Sequence, residues 1–274
     1  VRVPDPQELL FRVAKGVRNY RRPWRLVFDR LLRRPMVQVT DRATGLSFRC
    51  LREADRMFGE TFHSRVYDVP TVPVGPGSVV IDVGANHGFA ACHFARMGAR
   101  VLALEPHPEV FQALDRNVRV NRLEDRVQTV QMAVSDHAGT ATFLATRRLG
   151  GGMSSLDEGY MTATETPIDQ RYEVPVTTLP RVVEELGAES VRLVKLDCEG
   201  SELRILRSLG PDLLARIDSF AIEYHPAAYP LSELIELLLG WGTFSVSKAV
   251  TPGTANANLH VVSHEALARW AAGG

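Results

Sequence analysis

Two short stretches of this 274-residue chain gather the residue types that chemistry needs. In Lys195-Leu196-Asp197-Cys198-Glu199-Gly200-Ser201-Glu202, four charged side chains follow an apolar run. Such density is costly in a core, so the segment is expected to end a central strand at a polar crevice. There Asp197 opens toward the reacting centre, and Lys195 counts with it among the candidate catalytic residues. Glu199 and Glu202 have a second reading, as carboxylates favouring the start of the next helix. In the other stretch, Glu223-Tyr224-His225-Pro226 ends the run Phe220-Ala221-Ile222. If that strand reaches 225, residues 223 and 225 share a face and put a carboxylate and an imidazole at one mouth. An aliphatic hydroxyl is a poor nucleophile, and a positioned base is worth about 10²–10⁴-fold. His225 is the first candidate base and Asp197 the second, with Glu223 able to orient the imidazole. The competing reading of His225 is a polar residue opening a loop before Pro226. Asp197, Glu199, Glu223 and His225 could together make an oxygen-rich Mg²⁺ site, but no spacing is diagnostic and no metal is assigned.

A third stretch concerns a cofactor. Asp82-Val83-Gly84-Ala85-Asn86-His87-Gly88 lies between a strand-like run and a helix-like run, where glycines permit a sharp turn and close backbone approach. Counting from Gly84, a dinucleotide fingerprint needs glycine where Asn86 and Phe89 stand, so a pyrophosphate site is disfavoured. S-adenosylmethionine, a nucleoside with an amino-acid arm and no phosphate, fits better; a tight turn with no ligand is the plainer alternative. Glu105 stands 17 residues beyond Gly88 at a strand end, where its two oxygens can accept both ribose hydroxyls. Asp136, after Ser135 at the next strand end, can accept from the adenine amino group or simply form a turn before Gly139.

These residues need elements to hold them. Runs at 78–83 and 101–105 read as buried strands, and 89–97 and 108–118 read as helices, a βαβ succession that means a parallel sheet. Further strands are expected at 127–134, 191–196, 218–223, 243–249 and 258–262, with helices near 179–186, 201–209 and 231–239. Gly150-Gly151-Gly152 marks a flexible loop. Ahead of this domain, 36–40 and 46–50 alternate around an Asp/Gly turn and predict a hairpin. Residues 1–34 carry ten Lys/Arg against three Asp/Glu, a net +7, with apolar residues at roughly helical spacing. They are expected as amphipathic helices on the catalytic domain or on a second copy, or as an anionic-substrate lid or membrane-surface helix.

The ordered set of motifs resembles the FkbM family of methyltransferases. The resemblance rests on Val80–Gly88, Leu104-Glu105-Pro106-His107-Pro108, the Leu114, Asn117, Asn121 spacing, Ala133-Val134-Ser135-Asp136 with Gly139, Ser154-Ser155-Leu156 and Lys195–Glu202. It runs from about 60 to 262, departs mildly at His87, and leaves 1–55 outside. It implies an α/β class I methyltransferase fold, Rossmann-like, with a mostly parallel seven-stranded sheet flanked by helices. It implies S-adenosylmethionine as cofactor, with Asp82, Gly84, Asn86, Gly88, Glu105, Ser135 and Asp136 around it. It also implies O-methylation of a sugar or natural-product hydroxyl, with Tyr67, Ser154, Ser155 and Glu199 on the acceptor side. An N-methyltransferase is the runner-up and a non-catalytic scaffold the alternative from another class. The expected division is a basic helical and hairpin extension over 1–55, through which copies could associate, and a catalytic domain over 56–274.

Composition sets the remaining bounds. With 32 basic and 32 acidic residues there is no whole-chain signature of nucleic-acid binding, so the expected partner is a small molecule. Cys50, Cys92 and Cys198 are odd in number and form no C-x-x-C pair, which argues against a disulfide framework or structural zinc. No apolar run reaches the roughly 18 residues of a span, and no signal-type apolar region follows the first basic residues. A cytoplasmic enzyme is expected.

Overall fold

The computed structural model describes residues 20–32, 34–51, 54–146, 154–249 and 257–272. The first part of the basic segment and the triple-glycine loop lie outside these residues. Helix α1 (Pro23–Leu31) turns Leu26 inward but leaves Trp24 and Phe28, two of the helically spaced apolar residues, exposed. Strands β1 (Met36–Thr40) and β2 (Ser47–Leu51) form the expected hairpin, in register from Met36 opposite Leu51 to Thr40 opposite Ser47. Helix α2 (Asp55–Gly59) runs into a π-helical turn (Glu60–Ser64) that ends at Arg65 in a left-handed conformation. This bend, which no sequence pattern indicated, delivers Tyr67 to the interior.

The main sheet holds seven strands: β3 (Val79–Val83), β4 (Arg100–Leu104), β5 (Val127–Val130), β9 (Leu193–Leu196), β10 (Ser219–Tyr224), β11 (Phe244–Ala249) and β12 (Ala257–Ser263). Their order is β11-β12-β10-β9-β3-β4-β5. From β10 through β5 the neighbours are parallel, while β12 runs antiparallel to both β10 and β11. The chain builds outward from β3 to β4 and β5, then returns to lay β9 on the other side of β3. That reversal is a topological switch point, where open α/β sheets leave a crevice beyond the strands' carboxyl ends. Helices α3 (Phe89–Arg96), α4 (Pro108–Val120), α6 (Leu179–Leu186), α7 (Glu202–Arg207), α8 (Pro211–Leu214), α9 (Leu231–Gly240) and α10 (His264–Ala271) connect or follow the strands. The strand read at 218–223 lies one residue later, the helix read at 201–209 shortens to Glu202–Arg207, and Pro211 starts a separate short helix.

One expected strand divides. The run at 127–134 is β5 only to Val130; after Gln131 and Met132, β6 (Ala133–Ser135) joins a separate three-stranded sheet. There it lies parallel to β8 (Gln170–Thr178), whose other edge pairs with β7 (Gly139–Ala145). Apolar content cannot reveal a change of sheet within a continuous β-forming run. Helix α5 (Glu158–Ala163) sits between β7 and β8 in sequence and, like that sheet, was not foreseen.

Among the described residues the two larger apolar clusters hold the main sheet and the N-terminal layer, and a smaller one around Phe143 and Val176 holds the three-stranded sheet. One of the larger pair joins Val37, Val39, Phe48 and Phe58 of the N-terminal layer to Phe89, Phe94 and Leu114. The other packs β9, β10 and β12 against α6, α7 and α9 through residues such as Leu196, Ile205, Phe220, Val183 and Leu234. The Asn117, Asn121 spacing has a structural use here. One turn apart on α4, these amides serve the open edge of β2. The Ser47 N–H donates to Asn121 Oδ1 at 2.8 Å and the Arg49 N–H to Asn117 Oδ1 at 2.9 Å. Asn117 Nδ2 in turn donates to the His87 carbonyl at 2.8 Å, tying the hairpin to the glycine loop.

Candidate active site

The loop after β3 is shaped by two glycines with different duties. At Gly84 (φ +72°) an added Cβ would come within 1.9 Å of the Asp197 carbonyl oxygen, so loop and strand end meet backbone to backbone. At Gly88 (φ +82°) a Cβ would sit 2.7 Å from Leu114 Cδ1, so this glycine lets α3 pack on α4. Between them Asn86 also takes a left-handed turn (φ +50°), and its N–H donates to Glu105 Oε2 at 2.9 Å. Glu105 Oε1 accepts from the His107 N–H at 2.8 Å. Burial pushes the Glu105 carboxyl up to about 7, against the pull of these two N–H groups.

Asp82 and Lys195 are partners in register across β3 and β9, and their side chains form a buried ion pair at 3.0 Å. Lys195 Nζ also donates to the Gly84 carbonyl at 2.9 Å and lies 3.6 Å from Asp197 Oδ2. Burial works against its charge, but Asp82 and Asp197 outweigh that and hold the ammonium above its ordinary value. Burial likewise pushes Asp82 up, partly offset by Lys195. Neither side chain lines the cleft; both brace the loop that does.

The acceptor-side residues converge from distant parts of the chain. The Tyr67 hydroxyl lies 2.9 Å from Asp197 Oδ2 and 3.2 Å from Glu223 Oε2, so one proton serves two carboxyls. Burial first, then Asp197, pushes this phenol well above its ordinary value. Glu202 holds His225, with Nδ1 at 3.1 Å from Oε1. His225 Nε2 faces Glu199 Oε2 at 3.4 Å and Asp197 Oδ1 at 3.9 Å. Burial opposes a charge on this imidazole, but Glu202 and Glu199 outweigh it and hold His225 well above its ordinary value. Glu202 stays below the carboxylate range despite burial, because His225 and the Cys198 N–H favour its charged form. Glu199, by contrast, is pushed up by burial, with Tyr160 O–H donating to it at 2.5 Å.

An open cleft connects the two sides. Gly84, Asn86, Glu105, Ser154, Asp197 and Glu199 line it, with Val134, Phe143 and Leu156 as an apolar wall. Among the other expected site residues, Ser155 is structural: its hydroxyl donates to the Glu199 carbonyl at 2.7 Å. Ser135 and Asp136 bond each other at 3.1 Å beside the cleft, whose wall takes Ala133 and Val134 instead. Asp136 is exposed, and His137 holds its carboxyl below the usual range. Sequence reasoning missed Met57 and Phe143 on the wall, and Tyr160 and Tyr229, whose hydroxyls hold Glu199 and Glu202. No motif signalled them, because their positions follow from the accessory sheet and the π-helical bend.

Among the described residues no helix is long and apolar enough to cross a membrane. Residues 82–243 match the family described as the Methyltransferase FkbM domain. The 31-O-demethyl-FK506 methyltransferase FkbM of Streptomyces tacrolimicus is 34% identical over 235 residues, covering 77% of this chain and 89% of that protein. Methyltransferase sdnD of Sordaria araneosa is 26% identical, covering 72% and 84%. Among solved structures, Pyrococcus horikoshii TYW2 in complex with MeSAdo is similar at a TM-score of 0.43 and 13% identity, over 83% of this chain and 71% of that one. With a family match spanning more than half its length and the seven-stranded sheet of a class I methyltransferase, this chain is a methyltransferase of the FkbM family.

Proposed function

We propose that the chain transfers the methyl group of S-adenosylmethionine to a hydroxyl of a sugar or small natural product. The observation that carries this reading is the meeting of Asp197, Tyr67 and Glu223 at one end of the cleft whose other wall presents Glu105. The cofactor fits the residues present. Each Glu105 oxygen has spent one lone pair on an N–H, leaving acceptor capacity for ribose hydroxyls. Ser154 Oγ is buried on the cleft wall without a hydrogen-bond partner, and Val134, Phe143 and Leu156 offer an apolar face to a base. When bound, the cofactor supplies an electrophilic methyl carbon.

The chain's own task is to hold a hydroxyl in line with that carbon and take its proton. Asp197 lines the cleft and suits that role. His225 is only 1% exposed and sits behind Glu199, so it positions carboxylates rather than receiving the first proton. An oxygen acceptor is also supported by the relative named for 31-O-demethyl-FK506. The test is a panel of hydroxyl and amine acceptors with the wild type and Asp197→Asn. Transfer to a hydroxyl, lost in the variant, is expected; transfer to an amine that survives the substitution would establish the N-methylation reading instead. No binding of S-adenosylhomocysteine by folded protein would favour the scaffold.

A further inference from the structure

We infer that Asp197, Glu223 and His225 form a site for one small divalent cation of the Mg²⁺ or Mn²⁺ class, just behind the cleft wall at Asp197. One ligand atom from each of the three lies within 4.8 Å of the others, the one such group of His, Cys, Asp or Glu among the described residues. Ligands on an octahedral ion with bonds of about 2.1 Å stand at most about 4.2 Å apart. At most one of the three pairs can be trans and cis ligands stand about 3.0 Å apart, so the atoms need to close by up to about 2 Å. Two carboxylates and one imidazole suit a hard or borderline cation.

The orientation of His225 is the second, independent observation. Both ring nitrogens are buried without a hydrogen-bond partner; Nδ1 is turned to Glu202 Oε1 at 3.1 Å, and Nε2 is aimed at Glu199 Oε2 at 3.4 Å and Asp197 Oδ1 at 3.9 Å. A carboxylate behind one ring nitrogen with the other left open is how metal-bound histidines are held. The Tyr67 hydroxyl does the same for the carboxylates, bonding Asp197 Oδ2 and Glu223 Oε2. Charge agrees: the carboxylates of Asp82 and Asp197 share one ammonium, Lys195. Three protein ligands leave positions open for an acceptor hydroxyl, whose proton a bound cation makes easier to remove. That role, though not the binding itself, rests on the methyl-transfer reading.

The test titrates Mn²⁺ into chelator-treated full-length protein and follows the free ion by electron paramagnetic resonance. One ion per chain is expected, displaced by Mg²⁺, with affinity at least tenfold lower in His225→Gln and in Glu223→Gln. The surface variant Glu265→Gln should match the wild type. Mn²⁺ should also raise the melting temperature of the wild type but not of His225→Gln, which separates lost ligation from lost folding. No uptake by folded wild type, or uptake equal in all variants, would overturn the site and leave His225 as an imidazolium paired with Glu199 and Glu202. Calorimetry with S-adenosylhomocysteine on the same samples separates the two readings. Cofactor binding without ion uptake sinks the metal site alone, and ion uptake without cofactor binding sinks methyl transfer alone.

Discussion

The two walls of the cleft are built by different means. On the Glu105 side, backbone does the work: the loop from Gly84 to Gly88 and the N–H groups of Asn86 and His107 converge within 25 residues of sequence. On the Asp197 side, side chains meet side chains over long separations, Tyr67 reaching 130 residues to Asp197 and 156 to Glu223. The first wall carries a carboxyl whose main perturbation is burial. The second carries several carboxyls around one imidazole, each setting the charge of the next. A binding wall can be rigid and locally encoded, whereas a wall that handles a proton needs charged groups that only tertiary packing can hold together.

The strongest way to break this contrast is Asp197→Asn. Turnover should fall by about 10²–10⁴-fold, the range for losing a positioned base, while S-adenosylhomocysteine affinity changes little. Calorimetry beside single-turnover kinetics checks this, and an equal loss in both would merge the two walls into one unit. Next is Lys195→Met, which strands Asp82 behind both walls. Removing one partner of a buried ion pair costs about 3–5 kcal/mol, so the denaturant midpoint should drop sharply; an unchanged midpoint would mean that Asp82 is already neutral.

Glu105→Ala should act on the cofactor wall. Loss of charged hydrogen bonds is worth about 1.5–3 kcal/mol, or roughly tenfold to a hundredfold in S-adenosylhomocysteine affinity. The smallest effect sharpens the same point through pH. With its carboxyl near 7 in the free protein, Glu105 is charged above that value and takes up a proton below it. Ribose hydroxyls donate best to the charged form, so affinity should weaken by about threefold to tenfold from pH 8.5 to 6. Glu105→Gln, which does not titrate there, should flatten the profile; a wild-type affinity independent of pH would remove Glu105 from the ribose.

How much of this was legible follows from the same contrast. The glycine loop, Glu105 at its strand end and the charge-dense run from Lys195 were readable, because each is a contiguous segment whose composition makes sense only at a strand end. So was the sheet, because buried parallel strands announce themselves as short apolar runs separated by helices. The division of 127–134 between two sheets was not, nor the pairing of β7 with β8, because strand partnership depends on edges left open elsewhere. His225 shows the limit within a single residue. Its type and place beside Glu223 suggested a base, and only packing revealed that Glu202 and Glu199 grip it and that burial removes it from the cleft.

By itself, then, the sequence determined the strand ends, the turn geometry demanded by Gly84 and Gly88, and the identities of the carboxyls available at the cleft. These depend on backbone sterics and local apolar pattern, which act over a few residues. Tertiary structure alone decided which carboxyl holds which proton, that Lys195 braces Asp82 instead of reaching the cleft, and that Tyr67 joins the site. Those outcomes depend on distances of about 3 Å between groups far apart in the chain, and on how much water is left between them, which sets the strength of each interaction.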